Sequence, residues 1–229
     1  MRAGVILAAA GRGERMGHPI PKQFLELAGV PVYLHSLRVF EDHPRVEEIV
    51  LAVPPGWETR VLAQVRDLGL LKVRKVVCGG DTRQASVERA LRALSAGIDT
   101  VLVHDAARPL ISRELVSRVL EALERYGAVL CAVPVRDTVK LVREDRVERT
   151  IPREGLWLAQ TPQGARREWL EEAYRQAGQR VFTDEAALLE AAGFEVRVVR
   201  GENTNLKITY PEDFRMAEIY LRLDKPDKV

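Results

Sequence analysis

Six short apolar runs recur along the chain, at Val5–Ala10, Ile49–Val53, Val73–Cys78, Thr100–Val103, Ala128–Val133 and Val196–Val199. They are rich in Val, Ile and Leu and do not alternate regularly with polar residues, which suits strands covered on both faces. Helical spacing lies between them. Val87, Ala90, Leu91 and Leu94 follow an i, i+3, i+4, i+7 pattern behind a cap at Asp81 or Thr82. Leu115, Val119, Leu120 and Leu123 repeat the device after Ser112, and Tyr33, Leu37 and Phe40 do so after Pro31, a residue suited to a first helical turn. Strand–helix alternation predicts an α/β fold, a Rossmann-like three-layer sandwich on a mostly parallel twisted sheet with right-handed crossovers. A length of 229 residues makes it a single domain, residues 1–229.

Residues 137–158 break the rhythm. Val139, Leu141 and Val147 alternate with polar neighbours around an acidic Glu144-Asp145 turn, which predicts a projecting β-hairpin arm. An isolated hairpin is marginal in water, so the arm needs a surface to pack on, either a second subunit or its own domain. Further helices are expected near Ala165–Ala177, Asp184–Ala192 and Pro211–Leu223, the last opened by a capping box from Thr209 to Glu212.

Charge and cysteine usage exclude several function classes. The chain carries 35 Lys and Arg against 33 Asp and Glu, a net charge of +2, which is not the profile of a general nucleic-acid coat. Cys78 and Cys131 lie apart in apolar runs with no CxxC spacing, so a disulfide framework or zinc site is not expected and a reducing, cytoplasmic setting is. No apolar stretch approaches the roughly 20 residues of a membrane span, and the N-terminus makes a poor signal peptide.

In open α/β sheets ligands bind beyond the carboxyl ends of the strands. After the first run comes Ala8-Ala-Ala-Gly-Arg-Gly-Glu-Arg-Met-Gly17, then Pro21-Lys22. Gly11, Gly13 and Gly17 do not fit GxGxxG, and GK[ST] is absent. Backbone N–H groups beside Arg12, Arg15 and Lys22 nevertheless suit a polyphosphate; the plain alternative is an ordinary βα turn with solvated charges. After the third run, Gly79 and Gly80 permit close backbone approach, Asp81 caps a helix or faces a ligand, and Ser86 falls in the first helical turn. The fourth run ends in Val103-His-Asp-Ala-Ala-Arg-Pro109. A carboxylate at the end of a buried strand must be paired, capping or metal-bound, so Asp105 either holds Mg²⁺ together with phosphates or pairs with Arg108. His104 is expected to pack rather than to act.

Taken in order, Ala-Ala-Gly-x-Gly-x-Arg-Met, Pro-Lys-Gln, Gly-Gly-Asp-x-Arg-x-x-Ser-Val and Val-His-Asp-Ala-Ala-Arg-Pro resemble the 2-C-methyl-D-erythritol 4-phosphate cytidylyltransferase family. Val135-Arg-Asp-Thr138, Leu158-Ala-Gln-Thr-Pro-Gln163, Thr183-Asp-Glu-Ala186 and Asn205-Leu-Lys-Ile-Thr209 continue the resemblance, which covers roughly residues 2–223. It implies transfer of a cytidylyl group from CTP to a sugar-alcohol phosphate, with release of pyrophosphate, in non-mevalonate isoprenoid biosynthesis. It also implies catalytic roles for Arg15 and Lys22 and a magnesium-side carboxylate at Asp105. Nucleotide binding falls to Ala9, Ala10, Gly11, Gly13, Gly80, Asp81 and Ser86. The acceptor falls to Arg108, Thr138, Arg153, Thr183 and Lys207. The implied assembly is a homodimer in which residues 137–158 cross between subunits. The chain departs from the pattern at Leu7-Ala8 and around Ile151-Pro-Arg-Glu-Gly155, and no fused downstream cyclase domain is expected.

Two other readings compete: a ribitol-5-phosphate cytidylyltransferase sharing the nucleotide half, and a non-catalytic nucleotide-binding regulatory module. Neither involves nucleic acid or membrane. The near-neutral total is expected to hide a basic cleft: residues 1–22 hold Arg2, Arg12, Arg15 and Lys22 against only Glu14, and the acceptor side implied by the resemblance adds Arg108, Arg153 and Lys207, with acids spread over helix surfaces.

Overall fold

A computed structural model of the chain describes residues 1–11, 13, 17 and 19–223. β1 (Ala3–Ala8) leads through a glycine-rich loop to a 3-10 turn (Lys22–Phe24), a small ladder of β2 (Glu26–Leu27) and β3 (Val30–Pro31), and α1 (Val32–Glu41). β4 (Val46–Val53), α2 (Glu58–Asp67), β5 (Val73–Cys78), α3 (Arg83–Ala93), β6 (Thr100–Asp105), α4 (Arg113–Tyr126) and β7 (Ala128–Pro134) follow. Then come β8 (Val139–Arg143), β9 (Arg146–Ile151), β10 (Trp157–Arg166), α5 (Arg167–Ala177), α6 (Glu185–Ala191), β11 (Arg197–Arg200) and α7 (Pro211–Leu223).

The main sheet has seven strands in the order β11-β7-β10-β6-β1-β4-β5. Every pairing is parallel except those of β10, which runs antiparallel to both β6 and β7. Alternate residues of one strand feed opposite faces, as a pleat requires. Val5 and Leu7 pack with Tyr33, Leu37 and Phe40 of α1, Val61 of α2 and Leu115 and Leu120 of α4. Ile6 packs on the other face with Val87 and Leu91 of α3, Leu170 of α5 and Leu188 of α6. The expected three-layer α/β architecture is therefore the one observed.

Several local expectations need correction. The first strand lies two residues earlier than its apolar run, because Gly4 allows Ile98 and Leu94 to sit against the backbone and Ala9 and Ala10 extend past the last pairing of Ala8 with Asp105. Thr82, not Asp81, caps α3, its side chain accepting from Ala85 N–H at 3.0 Å. Ser112 caps α4 as expected. At α7 the carboxylate that accepts from the backbone N–H groups of Thr209 and Tyr210 belongs to Asp213 rather than Glu212.

The largest departure is β10. Leu158 belongs to it and not to the arm, and its polar stretch Gln160, Thr161 and Gln163 is buried in the middle of the sheet. The arm itself is β8 and β9 alone, a separate two-stranded ladder turning at Glu144 and Asp145, both at positive φ. Its Val142 and Val147 stand 53% and 62% exposed. No helix among the described residues is long and apolar enough to cross a membrane.

Candidate active site

The carboxyl ends of β1, β4, β5 and β6 open onto a cavity of about 660 Å³. Ala10, Gly11, Gly13 and Lys22 line it from the first loop, Gly80, Asp81 and Ser86 from the third, and Asp105 and Lys207 from the floor. These nine anticipated site residues thus meet in one place. The loops approach so closely that only glycine fits at their contacts. A Cβ on Gly79 would stand 2.3 Å from the Cβ of Ala10, and Gly13, at φ +69°, lies over Lys22, whose backbone N a Cβ would meet at 3.2 Å.

Ser86 is buried, and its hydroxyl is committed to the protein. It accepts from Gly80 N–H at 3.0 Å and donates to Thr82 O at 2.8 Å, so it shapes the glycine segment from behind. Ala9 is likewise buried, and its carbonyl accepts from the Gln23 side chain.

Asp105 is the electrostatic centre. Its Oδ1 accepts from Arg83 Nε at 2.9 Å and its Oδ2 from Lys207 Nζ at 2.7 Å. Burial pushes this carboxyl up, but Arg83, Lys207 and Arg108 outweigh it and hold it far below the ordinary carboxylate range. Arg83 is shared: its two terminal nitrogens fork onto Glu185 at 2.8 and 2.9 Å. Burial raises the pKa of Glu185, and Arg83 opposes that shift. The floor is therefore a chain of alternating charge, Glu185–Arg83–Asp105–Lys207.

Behind it, Thr161 Oγ1 accepts from Asp105 N–H at 3.0 Å and lies 3.0 Å from His104 Nδ1, while His104 Nε2 faces Arg108 O at 3.1 Å. A carbonyl only accepts, so Nε2 carries the imidazole hydrogen, and in the neutral ring Nδ1 accepts from the Thr161 hydroxyl. His104 packs and orients the end of β6, as expected.

The remaining anticipated residues fall elsewhere. Arg108 does not pair with Asp105 through a hydrogen bond. It is buried and turned to the carbonyls of Asn205 (2.7 Å) and Ala159 (3.4 Å), with its Nε unpartnered among the described residues. Thr138 and Arg153 are exposed at either end of the arm, where Arg153 donates to Arg136 O, and Thr183 is exposed just before α6; none of the three lines the cavity. Arg12 and Arg15 lie outside the described residues. Arg2 is at the opposite end of β1, paired with Glu47 at 2.9 Å, so it is no part of a basic cleft. Sequence reasoning assigns no role to Gln23, Arg83 or Glu185. Arg83 and Glu185 stand within recognisable motifs, but their partnership spans 102 residues and leaves no local signal.

A single ionised carboxylate beside a cavity lined by glycine loops fits a hard divalent ion that brings its own phosphate oxygens and water. Each Asp105 oxygen keeps a second acceptor direction beyond its bond to Arg83 or Lys207. Among the described residues no group of three His, Cys, Asp or Glu could cage a metal unaided.

A family model described as IspD: 2-C-methyl-D-erythritol 4-phosphate cytidylyltransferase matches residues 3–223. The chain is 47% identical over 235 residues to the 2-C-methyl-D-erythritol 4-phosphate cytidylyltransferase of Acidobacterium capsulatum, with 97% of this chain and 98% of that protein covered. It is 46% identical over 223 residues to the bifunctional enzyme IspD/IspF of Desulfotalea psychrophila, a match over 96% of this chain that spans 57% of that longer protein. The crystal structure of 2-C-methyl-D-erythritol 4-phosphate cytidylyltransferase from Thermus thermophilus superposes with a TM-score of 0.82 at 40% identity, covering 97% of this chain and 100% of that one.

Proposed function

The chain belongs to the 2-C-methyl-D-erythritol 4-phosphate cytidylyltransferase family, and from that premise we propose how its pocket works. The enzyme transfers the cytidylyl group of CTP to 2-C-methyl-D-erythritol 4-phosphate, with release of pyrophosphate, in isoprenoid biosynthesis. The acceptor's phosphate is its own nucleophile. A monoester with a second pKa near 6 is largely dianionic at neutral pH, so the protein need not remove a proton. Its oxygen attacks the α-phosphorus of CTP, the bond to the bridging oxygen breaks, and pyrophosphate leaves with that electron pair.

What the protein must supply is alignment of two anions and positive charge where negative charge gathers. Lys22, buried at the cavity wall, takes that second task together with Arg15. The backbone of Ala10, Gly11, Gly13 and Gly80, with Asp81, holds the nucleotide, Ser86 keeps the glycine segment in shape, and Ala9, whose N–H and carbonyl are both taken by protein partners, supports the loop from behind. Donors and acceptors fixed in a backbone fit cytosine's amino group and ring acceptors and mismatch uracil. Mg²⁺ carried by the CTP phosphates would be held by Asp105, where it would neutralise phosphate charge.

Lys207 serves the acceptor side from the cavity floor, and Arg108, turned to the backbone carbonyls of Asn205 and Ala159, adds positive charge from behind it. Thr138, Arg153 and Thr183 lie outside their own chain's cavity, and the exposed apolar residues of the arm, Val142 and Val147, need cover. Both facts support a homodimer in which the arm completes the partner's pocket. Sedimentation of the Val147→Lys variant as a monomer with impaired turnover would bear this out, and an unchanged dimer would remove the arm from the interface. The two free cysteines suit a reducing cytoplasm.

The observation that carries the reading is the meeting of Lys22, the glycine loops and an ionised Asp105 around one cavity. Lys22→Ala is expected to lower turnover by about 10²-fold or more, the scale for one lost transition-state stabiliser. Near-normal pyrophosphate release would remove Lys22 from the catalytic set.

A further inference from the structure

The three residues of the 3-10 turn face three different neighbours. Lys22 lines the cavity. Phe24 stacks on Trp57 of the loop after β4, with ring centroids 4.1 Å apart at an interplanar angle of 16°, and meets Tyr33 of α1 edge-on at 5.4 Å. Tyr33 is in turn tied to Gln64 of α2 at 2.8 Å. The turn is therefore anchored from outside to the rigid body of the fold. Gln23, between the other two, is only 3% exposed. Its amide nitrogen donates both hydrogens to backbone, one to Ala9 O and one to Gly11 O, the latter at 2.8 Å.

Those two carbonyls belong to the loop that lines the cavity and is assigned to the nucleotide above. A carbonyl oxygen turned toward a triphosphate repels it, whereas an N–H attracts it. In a trans peptide the C=O and the following N–H point in opposite directions, so the Ala9 carbonyl held by Gln23 turns the Ala10 N–H away from that side chain. Gly13 of the same loop also rests on the backbone of Lys22.

We infer that Gln23 is a positioning residue for cytidylyl transfer: its carboxamide fastens the Ala9 and Gly11 carbonyls to the turn that carries Lys22, fixing the phosphate-facing loop against that ammonium. The inference rests on the role of Lys22 given above and acts through it. Misplacing a group by about 1 Å at a reacting centre costs up to about 10²-fold in rate, so a side chain that touches no substrate can still govern turnover.

A double-mutant cycle separates positioning from mere support. Gln23→Met keeps the length and removes both donors; Gln23→Glu keeps the shape and, when ionised, has no donor. Each is measured for melting temperature and for steady-state pyrophosphate release with CTP, Mg²⁺ and 2-C-methyl-D-erythritol 4-phosphate, in wild-type and Lys22→Ala backgrounds. The expected result is a kcat lower by about tenfold or more in the wild-type background, with acceptor KM little changed. In the Lys22→Ala background the same substitutions change kcat by less than about twofold, because the group they position is gone. Equal losses in both backgrounds, unchanged kcat, or failure of both variants to fold would overturn the inference and leave Gln23 a structural residue. A near-normal Lys22→Ala single variant would instead overturn the role of Lys22, a distinct outcome read from that variant alone.

Discussion

Lys207 and Asp105, 102 residues apart in the chain, meet at 2.7 Å on the floor of the cavity. The contact joins the side of the pocket given to the acceptor phosphate to the side given to the nucleotide. It also means that the floor is not simply basic: each cation there is matched by a carboxylate.

Lys207→Met tests that division. A hydrogen bond to a charged group contributes about 1.5–3 kcal/mol, which is about 10- to 100-fold in affinity. Acceptor KM is expected to rise by that factor and CTP KM by less. Steady-state kinetics with each substrate varied in turn give both numbers, and a larger effect on CTP would move Lys207 to the nucleotide side.

The fork of Arg83 on Glu185 makes a stability prediction. The Glu185 side chain is 3% exposed and that of Arg83 26%, so Arg83→Met strands a buried carboxylate. Breaking such a pair costs about 3–5 kcal/mol, whereas replacing both partners with apolar groups of similar volume is often neutral. Arg83→Met alone is therefore expected to be strongly destabilised in urea. Arg83→Met with Glu185→Leu should regain most of the stability but not the turnover, because Asp105 still lacks its Arg83 partner.

His104 predicts an acid limb of stability. Burial, outweighing its bond to the Arg108 carbonyl and the nearby Asp105, lowers its pKa to about 4, while the unfolded chain takes up the proton at the ordinary 6.5. Between those values the unfolded state binds more protons, so stability falls as pH drops from 6.5 toward 4, by on the order of 3 kcal/mol in total. His43 is lowered too and contributes in the same direction. His104→Gln should flatten the dependence of the urea midpoint on pH in this window without abolishing it. An unchanged slope would mean that His104 does not carry it.

What can be read from the sequence follows from how each feature is encoded. Parallel strands such as β4 and β6 are buried on both faces, so their composition alone announces them. The glycine loops are legible for a similar reason, since close approach excludes side chains locally, as Gly79 against Ala10 shows. β10 is not legible. Its Gln163 is buried only because Asp184 accepts from its amide and Ala186 N–H donates to its oxygen, and Gln160 only because Glu202 partners it. Thr161 is held by Asp105 and His104 in the same way. A polar run inside a sheet depends on partners that chain order does not reveal. The same is true of Arg83 with Glu185, and of Arg108, whose motif suggests an anion or Asp105 as partner and whose side chain is turned instead to two backbone carbonyls.

The most direct test of the central claim is one pyrophosphate-release assay on the intact enzyme. CTP, Mg²⁺ and acceptor are omitted in turn, and 2-C-methyl-D-erythritol 4-phosphate is compared with ribitol 5-phosphate at equal concentration. The account predicts release only when all three components are present, with the methylerythritol phosphate strongly preferred. Equal or better turnover of ribitol 5-phosphate, or release without an acceptor, would contradict it.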